Sequence, residues 1–162
     1  MRFRVLLPLL ATITMLLVPG CSRWEEFIAP DGSFAVSLPG KPDRGTKVLP
    51  SPVGPLDVQG FEVGNFWGSM RYAVYYVDLA EDVNVREEVP GGPTVLETKV
   101  VTMRGYRGVE IIHTNGDGSF TRERNVQIER RFYALYVGSA TRARLASQDA
   151  ERFFESFRLL KR

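Results

Sequence analysis

The chain has 162 residues, a formal net charge of +2, one cysteine and one histidine, and is 44% apolar and 25% charged. This is the size and composition of a single ordinary folded domain. One cysteine excludes an internal disulfide framework, one cysteine with one histidine excludes a zinc site built mainly from those residues, and the near-balanced charge speaks against nucleic-acid binding.

The first twenty residues differ from the rest. Arg2 and Arg4 give a short basic start, and an apolar run from Val5 to Val18 follows, broken by Pro8 and two threonines. As a helix that run would reach about 20 Å against roughly 30 Å for a bilayer core, which is short for a span. A basic start, an apolar middle and a small residue at the end make a secretory signal. The run ends in Val18-Pro19-Gly20-Cys21, which resembles the lipobox of bacterial lipoproteins, with Val18 in place of the usual leucine and an atypical Pro19. The resemblance implies cleavage before Cys21 and a thioether from its sulfur to diacylglycerol, further acyl chains such as palmitate making the anchoring stable. By resemblance to enterobacterial lipoprotein sorting, Ser22 rather than aspartate after the cysteine implies a slight preference for the outer over the inner membrane. Arg2 and Arg4 are two of the 21 basic residues, so the chain from Cys21 onward is formally neutral against its 19 acidic ones.

After a lead-in over 21–29, residues 30–162 read as one α+β domain. Pro30-Asp31-Gly32 turns into the alternating strand Phe34–Leu38, which Pro39-Gly40-Lys41-Pro42 stops. Lys47–Leu49 and Leu56–Val63 are predicted to pair across Ser51–Pro55. Met70–Leu79 is apolar on both faces, with Tyr72, Val74 and Tyr76 on one and Ala73, Tyr75 and Val77 on the other, which predicts an internal strand. The acidic stretch Ala80–Pro93 reads as a loop. Strands follow at Leu96–Met103, Tyr106–Thr114, Phe120–Ile128 and Phe132–Val137, with Asn115-Gly116-Asp117-Gly118 as a hairpin turn. Ala150, Phe153, Phe154 and Phe157 then form one helical stripe with Ser147 as N-cap. Burial of each ring would stabilise the domain by roughly 1.5–3 kcal/mol. The expected layout is a mostly antiparallel sheet of six to eight strands with the C-terminal helix packed on it.

Several segments carry a resemblance. Trp24, Phe27, Pro30–Phe34 and Pro39–Pro42, then Gly105–Glu110, Arg131–Leu135 and Phe153–Phe157, resemble corresponding stretches of uncharacterised bacterial envelope proteins. More distantly the order of elements is similar to the Mog1/PsbP-like fold, which implies an antiparallel sheet flanked by helices. These motifs are glycines, prolines and aromatics that set turns and core, and they imply no activity.

Candidate chemistry is sparse. His113 must serve any Ser-His-Asp machinery, yet it alternates with Val109 and Ile111 as a structural histidine would, and no G-x-S-x-G elbow occurs. Asn115, Asp117 and Ser119 begin like a calcium loop, but Phe120 and Val126 stand where glycine and an acid are required. Glu110 would meet Arg122 or Arg124 across the hairpin as a structural pair; the alternative is a groove in which Arg122, Arg124 and Arg131 bind an anion or acidic partner. The tyrosines at 72, 75, 76, 106, 133 and 136 suit core and sheet edges more than a cleft. The expectation is a lipid-anchored envelope protein, without cofactor, metal or nucleic acid, that binds an envelope protein or a small ligand at the sheet's open face. The alternatives are a hydrolase centred on His113 and an accessory subunit of a membrane complex.

Overall fold

Period-two alternation of apolar residues governs most of this chain, and the result is two antiparallel sheets closed over one core. A computed structural model describes residues 23–49, 54–64, 70–80, 83 and 94–160. The signal segment, the lipobox, Cys21, the turn at 50–53 and nearly all of the 81–93 stretch lie outside the described residues. The strands are β1 (Glu25–Ile28), β2 (Phe34–Leu38), β3 (Asp43–Leu49), β4 (Leu56–Val63), β5 (Met70–Asp78), β6 (Val95–Met103), β7 (Tyr106–Thr114), β8 (Phe120–Ile128), β9 (Arg131–Ser139) and β10 (Arg158–Leu159). A 3-10 turn at Arg142–Ala146 leads into the only helix among the described residues, α1 (Gln148–Ser156).

Seven strands form the main sheet in the order β3-β4-β5-β9-β8-β7-β6, antiparallel throughout. This is an α+β fold with a mainly antiparallel sheet and a C-terminal helix. β5 is internal as its two apolar faces require, paired to β4 and β9. The Phe34–Leu38 strand leaves the main sheet and sits between β1 and β10 in a small sheet of its own. Glu25–Ile28, which lies ahead of residue 30, pairs residue for residue with β2.

The small sheet and α1 cover one face of the main sheet. Phe34 is fully buried there, its ring between 5.7 and 6.4 Å from those of Phe27, Phe61, Tyr76, Tyr133 and Phe157. Ser147 caps α1 by accepting from the Ala150 amide, and Ala150, Phe153 and Phe154 are buried. The helix stops one residue before Phe157, which turns extended and is buried all the same, so that Arg158 and Leu159 can pair with β2. Arg104 and Gly105 take positive φ in the β6–β7 turn, and from that turn Arg104 donates to the Phe157 carbonyl at 2.7 Å and to the Glu155 carbonyl. Gly108 is required for another reason: a Cβ there would lie 2.5 Å from the Asn125 carbonyl oxygen. Among the described residues no helix is long and apolar enough to cross a membrane.

Candidate functional site

Three of the four polar candidates meet on the α1 side of the main sheet. Glu110 on β7 lies directly opposite Arg124 on β8, and Arg122 lies two pairs further along on the same face, opposite Ile112. The Glu110 side chain is 2% exposed, and its carboxylate accepts from Lys99 Nζ at 2.8 Å, Arg122 Nη2 at 2.8 Å and Arg124 Nε at 2.5 Å. Burial alone would raise the Glu110 pKa, but hydrogen bonds from Arg122, Lys99 and Arg124 outweigh it and hold the group down to about 2. Helix α1 completes the cluster. Glu151 accepts from Arg122 Nη1 at 2.5 Å and Arg124 Nη2 at 3.3 Å, while both guanidinium groups lie over the Phe154 ring at 4.9 and 4.4 Å. Arg122 also donates to the Leu145 carbonyl at 2.9 Å.

The cross-strand pairing of Glu110 with both arginines therefore holds, and the two arginines find their anion inside the protein. An external anion would have to displace Glu151 and with it the first turns of α1. The cluster fastens the helix to the sheet.

Arg131 stands apart at the other end of the strands, opposite Asp78 on β5 and Ile128 on β8. Its guanidinium grips both oxygens of Asp78 at 2.6 Å, donates to Asp31 Oδ2 at 2.5 Å and lies 4.6 Å over the Tyr76 ring. The Asp78 hydrogen bonds lead in raising the Arg131 pKa above its ordinary value. Asp31 shifts down, because bonds from Ser33 and Arg131 outweigh its partial burial. These residues border a cleft of about 480 Å³, whose other walls are Pro55, Leu56, Asp57, Gln59 and Val77. Three carboxylates face one guanidinium there, so the cleft favours a cationic group over an anion. Asp78 and Asp31 escaped the sequence reading because each lies more than fifty residues from Arg131: the β5–β9 register brings Asp78 there, and the turn between β1 and β2, docked over the main sheet, brings Asp31.

On the opposite face of the main sheet, Tyr75 and Tyr136 meet edge to face at 5.2 Å. Tyr75 donates to Glu62, Tyr136 lies directly across from buried Glu123 and bonds it, and burial foremost raises both phenols. Gly60 makes room for Tyr75, since a Cβ there would sit 2.7 Å from the ring. The centre of this face is closed: Ala73, Ala134, Ile111 and Glu123 are all buried. His113 is half-buried beside it, and Thr121, the hydroxyl directly opposite, is bonded to the Asn115 side chain at 3.0 Å. Among the described residues no group of acidic, histidine or cysteine side chains could hold a metal ion.

No protein-family model matches the chain, and no curated protein matches it in sequence.

Proposed function

We propose that this protein is a lipid-anchored bacterial envelope protein, tethered through Cys21, which acts by binding, with the Arg131 cleft as its ligand site. The observation that carries the reading is the cleft. Arg131 is already neutralised by Asp31 and Asp78, the Tyr76 face and the apolar edges of Leu56 and Val77 offer contact area, and exposed Asp57 supplies a further acceptor. That combination suits a basic side chain or small amine, with the stem on the apolar wall and the cation toward the carboxylates.

The tether places the domain close to the bilayer. Trp24 packs on Tyr72 at 5.3 Å with the Arg152 guanidinium 4.8 Å over its ring. Three residues span at most about 11 Å, so a lipidated Cys21 would hold the α1 side of the domain near the headgroups. A partner within the membrane or on its surface is then as accessible as a free ligand, in keeping with an accessory subunit. A hydrolase centred on His113 has less support, since a nucleophile needs a hydroxyl free to give up its proton and the nearest across the strand, Thr121, belongs to the Asn115 turn.

The test is a titration of the detergent-solubilised full chain with arginine amide, followed by NMR. Shifts centred on Asp57, Tyr76 and Arg131, weakened several-fold by Asp57→Asn, support the site. Equal response to acetate, or no response at those residues, contradicts it.

A further inference from the structure

Among the described residues, both edges of the main sheet present unpaired backbone. β3 has every residue exposed, Val48 and Leu49 among them at 63% and 47%, and is interrupted by a glycine, Gly45, at its third position. β6 has nine residues with neither glycine nor proline, and carries Val95, Leu96 and Val100 at 37%, 47% and 61% exposure. A long edge strand bearing exposed apolar side chains is a template for another strand.

We infer that β6 pairs with β6 of a second copy of this chain, antiparallel about a two-fold axis through Thr98. The residues themselves select the partner and the register. With Thr98 opposite Thr98, Glu97 of each copy falls opposite Lys99 of the other, so the pairing carries two opposite-charge pairs. The same register sets Val100 opposite Leu96, bringing exposed apolar side chains together. Glu97 and Lys99 are free enough to do this: their side chains are 47% and 51% exposed, held by Arg142 at 3.2 Å and Glu110 at 2.8 Å on the helix side. Moving the axis by one residue to Lys99 would set the two lysines against each other, a destabilising arrangement. The bulge between Val95 and Glu97 falls at Leu96, so in this register the regular pairs are those among Glu97, Thr98 and Lys99, with Leu96 and Val100 flanking them at the bulge.

The symmetry also fits the tether, a point that rests on the anchoring proposed above. A two-fold axis through paired antiparallel strands runs perpendicular to the sheet, so both copies keep α1 on the same side. Trp24 packs against Tyr72 on that side, where Tyr72 also meets Phe153 of α1 at 5.4 Å. Two Cys21 anchors would thus reach one bilayer. The product is a continuous fourteen-stranded sheet with β3 at both ends.

Cysteine cross-linking tests the pairing without depending on the anchor. Thr98→Cys in the detergent-solubilised full chain, under mild oxidation, should give a disulfide dimer, because directly opposed antiparallel residues lie within disulfide reach. Thr46→Cys on β3, and the Cys21→Ser chain with no added cysteine, should remain monomeric on a denaturing gel. Adding Glu97→Lys to Thr98→Cys should reduce the cross-link at least several-fold while the circular dichroism stays unchanged. Cross-linking of Thr98→Cys no better than that of Thr46→Cys, in folded protein, would overturn the proposal; so would full cross-linking despite Glu97→Lys. All of these chains carry Cys21→Ser, which removes the native thiol that would itself cross-link if unlipidated, so the state of Cys21 bears only on the tether.

Discussion

Glu110 on β7 and Arg122 on β8 meet at 2.8 Å with 2% and 7% of their side chains exposed, and through Arg122 the contact continues to Glu151 on α1. Three strands and a helix are thereby joined by one set of charges. Removing charges from water is costly, and the cluster persists because Glu110 accepts three donors while Phe154 lies beneath the two guanidinium groups.

Truncating Glu110 should be among the most damaging single changes on this face. Glu110→Ala leaves Arg122 and Arg124 with Glu151 alone and should lower unfolding stability by about 3–5 kcal/mol. Urea denaturation measures it. Retained stability within about 1 kcal/mol of the parent would contradict the clamp.

Acid should weaken the domain through the same residue. The Glu110 pKa is depressed in the folded state, from an ordinary value near 4.5 to about 2. The stability linked to it is fully present above pH 4.5 and is lost as pH falls toward 2, amounting to about 3 kcal/mol. Asp31, also depressed, adds to the trend in the same direction. Thermal melting across that window should show a steep decline that Glu110→Gln makes shallower.

The two phenylalanines of α1 should respond differently to a carboxylate. Phe153 is 0% exposed and packs its ring on Tyr72 at 5.4 Å, so Phe153→Asp should abolish folding. Phe154→Asp would place its charge beside Arg122 and Arg124, whose guanidinium groups already lie within 5 Å of the ring. It should therefore retain more structure than Phe153→Asp, as judged by near-ultraviolet circular dichroism and melting temperature.

The sequence made the strands and the helix legible because each carries its own period. Met70–Leu79 reads as internal from its two apolar faces, and Ser147 reads as an N-cap from its place before the aromatic stripe. What stayed hidden depends on long-range pairing. Phe34–Leu38 has the alternation of any strand, and nothing local assigns it to a second sheet with Glu25–Ile28 and Arg158–Leu159. Of the polar candidates, Glu110 and the two β8 arginines were legible because a hairpin fixes their distance. Glu151 was not, since it comes from a helix docked over the sheet; Lys99 was missed although the β6–β7 hairpin sets it directly opposite Glu110, a signal the same rule would have caught. Grouping Arg131 with the β8 arginines failed for a geometric reason: it begins β9, whose far end is the part that lies beside Arg122.

Arg104 should matter more than its exposed turn position suggests. Its donation to the carbonyls of Phe157 and Glu155 satisfies the end of α1 and places a cation at the negative pole of the helix. Arg104→Ala should cost about 1–2 kcal/mol. Amide exchange should accelerate at β10, which that helix end holds against β2, while the β8–β9 centre stays protected; uniform exchange rates in the variant and parent would count against this role.

The proposed membrane tether is tested most directly by metabolic labelling of the full chain with radioactive palmitate, expressed in a bacterium, in the parent and in Cys21→Ser. The account predicts label in the parent, none in Cys21→Ser, and release of the Cys21→Ser protein from the membrane fraction. A parent chain that takes up no label, or a Cys21→Ser chain that takes up as much, would contradict it.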